Sequence, residues 1–130
     1  VMAETKKILV VDDDPDFVDG MSALIKRSGY EVVVGYDGNE AVAKAKAEKP
    51  DAMVLDVMMP NKDGYKACAE LKSDPETEKI PILLLTAVAS HVPTTKYTHF
   101  DGMTTDADDY LDKGAEPEEI LERVRDLFEP

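Results

Sequence analysis

Four aspartates, Asp12, Asp13, Asp14 and Asp16, crowd together directly after the apolar run Ile8-Leu9-Val10-Val11. Like charges at such spacing repel one another, so a cation or a capping role must account for them. Three other residues of chemical interest hold the same kind of place, just past an apolar run. Asp56 follows Met53-Val54-Leu55, Thr86 follows Ile82-Leu83-Leu84-Leu85, and Lys113 follows the short stretch Asp109-Tyr110-Leu111. Taken singly, each reads blandly: an aspartate after a strand caps a helix, a threonine ends a strand, a lysine is solvated. Taken together they supply carboxylates, a hydroxyl and an ammonium, a set suited to holding a hard cation and a phosphate.

The elements around them decide whether they meet. Ile8 to Val11, Glu31 to Tyr36, Met53 to Leu55, Ile82 to Leu85 and Asp109 to Leu111 are short apolar or β-branched runs, as expected of buried strands. Between them lie helical patterns. Asp14-Pro15 opens one with an N-cap and a proline at the first helical position, and Phe17, Val18, Met21, Leu24 and Ile25 repeat at helical spacing up to Gly29. Asp37 and Glu40 resemble a capping pair for a helix that runs to about Glu48 and is closed by Pro50. A turn, Pro60-Asn61-Lys62-Asp63-Gly64, leads into a helix over about 65–71, and Pro117 opens one whose Ile120, Leu121, Val124, Leu127 and Phe128 share a face. Strands alternating with helices imply parallel strands, right-handed crossovers and helices on both sheet faces, an α/β fold. In such sheets the ligand site lies beyond the carboxyl ends of the strands, so Asp12, Asp13, Asp56, Thr86 and Lys113 are expected on one edge.

Electrostatics then favours a bound ion. Three carboxylates about 5 Å apart at an effective dielectric of about 20 repel by about 3 kcal/mol per pair, roughly 10 kcal/mol in all. That rivals the ~5–15 kcal/mol stability of a whole domain. A divalent ion relieves it, with Lys113 compensating in part, and an oxygen-only site with room for water and phosphate favours Mg2+ over zinc. Asp14 and Asp16 have a separate explanation, a helix cap and a first-turn position favoured by the helix dipole. An EF-hand starting at Asp12 fails, because Phe17 stands where glycine is required and Ala23 where glutamate is.

The stretches Ile8-Leu-Val-Val-Asp-Asp-Asp14, Asp56-Val-Met-Met-Pro-Asn-Lys-Asp-Gly64, Leu85-Thr-Ala87 and Asp109-Tyr-Leu-Asp-Lys113 closely resemble the receiver domain of two-component response regulators, in order and over about residues 7 to 128. The resemblance implies a flavodoxin-like, doubly wound five-stranded parallel sheet of order 2-1-3-4-5, for which a member of this family is a standard example. It implies that Asp56 accepts a phosphoryl group from the phosphohistidine of a sensor histidine kinase or histidine phosphotransfer protein. Asp12, Asp13, Asp56 and the Met58 backbone carbonyl would hold Mg2+, Lys113 would contact the phosphoryl oxygens, and Thr86 would hydrogen-bond the group once formed. Tyr110 would change rotamer with Thr86, and Ala87 would leave the phosphate accessible. The activity implied is confined to the domain's own phosphorylation and dephosphorylation.

Departures from the family pattern lie mostly after Thr86. The interval to Lys113 is longer than usual and rich in threonine, so most of it is left unassigned and a fourth helix there is expected to be displaced or mobile. His91 and His99 fall in it and read as surface residues, with no phosphotransfer helix to support a relay role. Gly114 stands where proline is common, which makes a cis bond after Lys113 costly. Met58 and Val88, two places beyond Asp56 and Thr86, cannot orient water strongly, so a long-lived phosphoryl group is expected.

Composition sets the outer bounds. The chain of 130 residues, 43% hydrophobic and 33% charged, fits one domain, expected to cover residues 1–130 without an output module. A net charge of −13 disfavours direct nucleic-acid binding and anionic membranes, leaving a basic protein partner or a cation. Its downstream protein target is unspecified by the sequence. Cys68 is the sole cysteine, which excludes an internal disulfide, suits a cytoplasmic setting, and reads as a small apolar helix residue. A receiver-like interaction module that works without phosphorylation is the main alternative. An aspartate-nucleophile phosphatase would need a second acid where Met58 stands, and a flavin-type binder would want a glycine- and hydroxyl-rich loop where Asp12 to Asp14 stand.

Overall fold

A computed structural model describes residues 5–86 and 107–128. The elements are β1 (Lys7–Val11), α1 (Pro15–Arg27), β2 (Glu31–Gly35), α2 (Gly38–Glu48), β3 (Ala52–Asp56), α3 (Gly64–Lys72), β4 (Ile82–Thr86), β5 (Asp109–Asp112) and α4 (Pro117–Phe128). The strands form a single five-stranded sheet in the order β2-β1-β3-β4-β5. Every pairing is parallel, with Val10 opposite Val34 and Val54, and Thr86 opposite Asp112. This is the flavodoxin-like order that the family resemblance implied, and the parallel pairing is what the alternation of strands and helices implied.

The two-residue period of a strand sorts its side chains into two cores. Leu9, Val11, Met53, Leu55, Ile82 and Leu84 point to one face, where Ala41, Val42 and Ala45 of α2 and Ala67, Cys68 and Leu71 of α3 cover them. Ile8, Val10, Val54, Leu83 and Leu85 point to the other, beneath Val18, Met21 and Ile25 of α1 and Ile120, Leu121 and Val124 of α4. Because β3 and β4 are covered on both sides, all five residues of each are buried. Continuous rather than alternating apolar runs are the sequence signature of that environment. Cys68 is fully buried in the α2 and α3 core, as its helical, apolar reading implied.

Local chemistry sets the ends of the elements. Asp14 caps α1 through a hydrogen bond from the Asp16 amide to its Oδ1, with Pro15 at the first helical position. Asp37 caps α2 in the same way, accepting from Glu40 N at 2.8 Å. The expected inclusion of Tyr36 in β2 is not observed: the strand ends at Gly35, whose carbonyl accepts from Asp12 N, and the Tyr36 N–H, on the outer side of this edge strand, donates to Glu40 Oε1 at 2.9 Å. Among the described residues no peptide bond is cis, Lys113–Gly114 included.

Candidate functional site

The carboxyl ends of β1, β3, β4 and β5 bring Asp12, Asp13, Asp56, Thr86 and Lys113 to one rim, as the strand-end pattern requires. Carboxylate oxygens of Asp12, Asp13 and Asp56 all lie within 4.8 Å of one another. Asp12 and Asp56 are buried, whereas Asp13 faces solvent. The register explains the convergence. Asp12 continues β1, its amide donating to Gly35 O at 3.2 Å. Asp56 ends β3 opposite Leu85, and the next amide, Val57 N, donates to Leu85 O at 3.1 Å. Lys113 N donates to Thr86 O at 2.9 Å, which fixes the lysine beside the end of β4.

Charge is unevenly balanced in this cluster. Lys113 Nζ donates to Asp12 Oδ1 at 3.1 Å and lies 2.8 Å from Asp12 Oδ2. Asp12 Oδ1 also accepts from the Asp14 amide at 3.0 Å. Asp56 is less well served: Lys113 Nζ stands 3.5 Å from its Oδ2, and neither of its oxygens accepts a hydrogen bond among the described residues. Burial, reinforced by the charge of Asp12, pushes the Asp56 carboxyl up to about 6. Burial raises Asp12 as well, against the opposing pull of Lys113. For Lys113, burial works against the charged form, but its hydrogen bond to Asp12 and the charge of Asp56 outweigh this and hold it above the ordinary lysine range. The ammonium also sits 5.4 Å from the centre of the Phe17 ring, a cation–π placement that supports its position from the α1 side.

Such a donor set fits a hard divalent cation. It is oxygen-only, it carries excess negative charge, and three of its buried oxygens, Asp12 Oδ2 and both of Asp56, accept no hydrogen bond among the described residues. Of the other residues singled out from the sequence, Thr86 is buried at the rim and Tyr110 is half-buried with its ring against the α2 and α3 core. Met58 is 63% exposed. Ala87, Val88, His91 and His99 lie outside the described residues.

Some features of the site were not anticipated from sequence. Asn61, read only as part of a turn, donates from Nδ2 to Asp37 Oδ2 at 2.7 Å and adopts a positive φ of 69°. Gly64 packs so closely under the site that a Cβ there would lie 2.3 Å from Asp56 O. The asparagine-containing turn and the Asp-Gly pair hinted at a tight backbone, but nothing in the chain order named their partners.

An open parallel sheet with an acidic, cation-suited rim and a lysine facing a buried aspartate defines a class of α/β domain built around aspartate chemistry. Residues 8–125 match the response regulator receiver domain family, and the chain belongs to it. It is 43% identical over 126 residues to the alkaline phosphatase synthesis transcriptional regulatory protein PhoP of Bacillus subtilis, covering 95% of this chain and 48% of that protein. The chain thus spans about half the length of the curated relatives it matches. Among solved structures, the chemotaxis response regulator CheY4 of Vibrio cholerae superposes with a TM-score of 0.83 at 30% identity, over 95% of this chain and 99% of that one. The receiver domain of sensor histidine kinase PA1611 from Pseudomonas aeruginosa, with a magnesium ion in its active site cleft, gives 0.82 at 26% identity, over 98% and 100%. The acidic cluster is consistent with the Mg2+-dependent phosphoaspartate signalling of homologous receiver domains. No helix among the described residues is long and apolar enough to cross a membrane.

Proposed function

We propose that Asp56 is the phosphoacceptor of this domain, and that its phosphorylation alters a surface read by a protein partner. The observation that carries this reading is the state of Asp56: buried, without a hydrogen bond to either oxygen, and 3.5 Å from an ammonium. A carboxylate in that state is poised to form a new bond rather than to satisfy an existing one. One Asp56 oxygen attacks the phosphorus of a phosphohistidine on a sensor histidine kinase or phosphotransfer protein. The nitrogen–phosphorus bond breaks, and the imidazole leaves with the electron pair. Lys113, already held by Asp12, meets the negative charge of the arriving phosphoryl oxygens. Thr86 donates its hydroxyl to the group once it is in place, and Tyr110 changes rotamer with Thr86.

Asp12, Asp13 and Asp56, with the Met58 backbone carbonyl, would hold Mg2+. When bound, the ion supplies charge neutralisation between carboxylates and phosphoryl oxygens. The phosphoryl group adds about −1.5 to −2 charge, and Lys113 and Thr86 are the groups of this chain placed to answer it. With −13 formal charge, the surface favours a protein partner with a basic contact face over direct nucleic-acid contact by this domain.

Incubation with acetyl phosphate and Mg2+ followed by intact-mass measurement tests the reading. One phosphoryl adduct that is absent from Asp56→Asn supports it. No adduct, or an adduct retained by Asp56→Asn, would point instead to an interaction module that works without phosphorylation.

A further inference from the structure

The loop 57–63 between β3 and α3 carries Met58, and beyond Val57, whose amide still donates to Leu85 O, the sheet does not fix its path. Three ties fix it instead. At its base, Gly64 N donates to Val57 O at 2.9 Å, closing the loop over the end of β3. At its far end, the Lys62 backbone rests on the first residue of α2: a Cβ added to Gly38 would lie 2.2 Å from Lys62 O. Between them, Asn61 Nδ2 donates to Asp37 Oδ2 at 2.7 Å. The Lys62 ammonium also pairs with Glu70 of α3.

Asp37 is placed to act on two elements at once. Its Oδ1 accepts from Glu40 N and caps α2, while its Oδ2 holds Asn61. Both bonds favour the ionised carboxylate. Asn61 sits in the left-handed region at φ 69°, a conformation that asparagine and aspartate tolerate better than most residues. Capping alone would need neither the asparagine nor that conformation.

We propose that the Asp37–Asn61 hydrogen bond is a positioning element for the cation site: it holds the loop 57–63 against α2 and thereby sets the affinity of the acidic cluster for a divalent ion. Neither residue touches the cluster. The inference rests on the reading that Met58 contributes its carbonyl to the ion. The bond is exposed, so its value lies in restricting where the loop can go rather than in global stability.

The test is Mg2+ titration by calorimetry on the wild-type chain, Asp37→Asn, Asn61→Asp and the double exchange, each with a urea unfolding midpoint measured without divalent ion. Asp37→Asn keeps an N-cap and leaves a neutral amide–amide bond that Asn61 can make by flipping, whereas Asn61→Asp sets carboxylate against carboxylate and removes the bond. Asn61→Asp is expected to weaken Mg2+ binding by about fivefold, the scale of one ordinary hydrogen bond because this one is exposed, and Asp37→Asn by less. The double exchange restores a donor and an acceptor and is expected to return within about twofold of wild type. Asn61→Asp is the discriminating variant, because its added negative charge would by electrostatics alone tighten cation binding. Tighter or unchanged binding in Asn61→Asp, or no recovery in the double exchange, overturns the proposal, as does loss of affinity that merely tracks the urea midpoint. Absence of Mg2+ binding in the wild-type chain would overturn the metal reading itself, a different outcome from wild-type binding that the variants leave untouched.

Discussion

Lys113 is bonded to Asp12, with its ammonium 3.1 Å from Oδ1 and 2.8 Å from Oδ2 of that carboxylate. The lysine is therefore engaged before any phosphoryl group arrives. Asp56, at 3.5 Å, is the partner it serves less well. Neutralisation of the cluster is thus incomplete without a divalent ion, and several consequences can be measured.

The pH dependence follows from the direction of the shifts. Asp56 is raised from 3.8 to about 6, so between those values the folded chain binds more protons than the unfolded one. Its contribution to stability is therefore lost as pH rises from about 4 through about 6, and Asp12 acts in the same direction. Lys113, raised above the lysine range, contributes stability that is intact at neutral pH and lost only above that range. In chelator at pH 7, Asp56→Asn is expected to stabilise by about 1–2 kcal/mol, less than the full rise to about 6 implies because water borders the cleft. The gain should vanish near pH 4. Urea unfolding at both pH values checks this, and a variant less stable than wild type at pH 7 would contradict it.

Removing the ammonium should have the opposite sign. Lys113→Met leaves Asp12 and Asp56 facing each other uncompensated, and a loss of about 1–3 kcal/mol is expected without divalent ion. Added Mg2+ should recover part of that stability while phosphoryl transfer stays defective. The adduct assay and paired melts with and without Mg2+ separate these effects.

Gly64→Ala tests how tightly β3 and the following loop are packed. The new Cβ would meet Asp56 O at 2.3 Å and Val57 Cα at 2.8 Å, both backbone atoms that cannot rotate aside. A cost of about 2–3 kcal/mol is expected, together with impaired phosphorylation of Asp56, because the backbone that must yield is that of the acceptor. An unchanged melting temperature would show that the loop has slack.

Away from the site, Lys72 is a structural pin. Its Nζ donates to Ile80 O at 2.8 Å, Glu78 O at 3.1 Å and Asp108 Oδ2 at 3.0 Å, and its side chain is only 10% exposed. Asp108 in turn accepts from Ile82 N at 2.8 Å, so the lysine ties the end of α3 to the starts of β4 and β5. Lys72→Met should destabilise by about 2 kcal/mol in thermal or urea unfolding and leave the Mg2+ affinity of the rim unchanged.

The lifetime of the phosphoryl group is a separate matter. Met58, 63% exposed two places beyond Asp56, offers no group that can orient an attacking water. Slow loss of the adduct is expected, and Met58→Asn should hasten it severalfold. Rapid loss from the unmodified protein in the absence of any phosphatase would count against this.

What could be seen in the chain alone depended on whether the governing interaction was local in sequence. The strand ends were legible because Val11-Asp12, Leu55-Asp56 and Leu85-Thr86 each mark an abrupt passage from apolar to polar, and a doubly covered sheet leaves polar groups only at its rim. The caps Asp14 and Asp37 were legible for the same reason, since a cap and its amide are two or three residues apart. Tyr36 was misplaced by one residue because the strand ends at Gly35 and the Tyr36 amide joins the α2 cap through Glu40, a boundary that the apolar pattern does not mark. The Asp37–Asn61 bond, the Lys72 pin and the Phe17 ring beside Lys113 were hidden, because lysine and asparagine look equally at home in solvent. Only the tertiary path brings these partners together.

The single thiol, Cys68, has no accessible surface and is sealed between α3 and the sheet. It is thus a natural clock for opening of that face: alkylation must wait for α3 to lift, so the rate of modification by a small maleimide counts excursions from the native state. Any occupant of the acidic rim that favours the closed form will slow that clock, which makes ligation on one edge of the sheet readable from a sulfur inside its core.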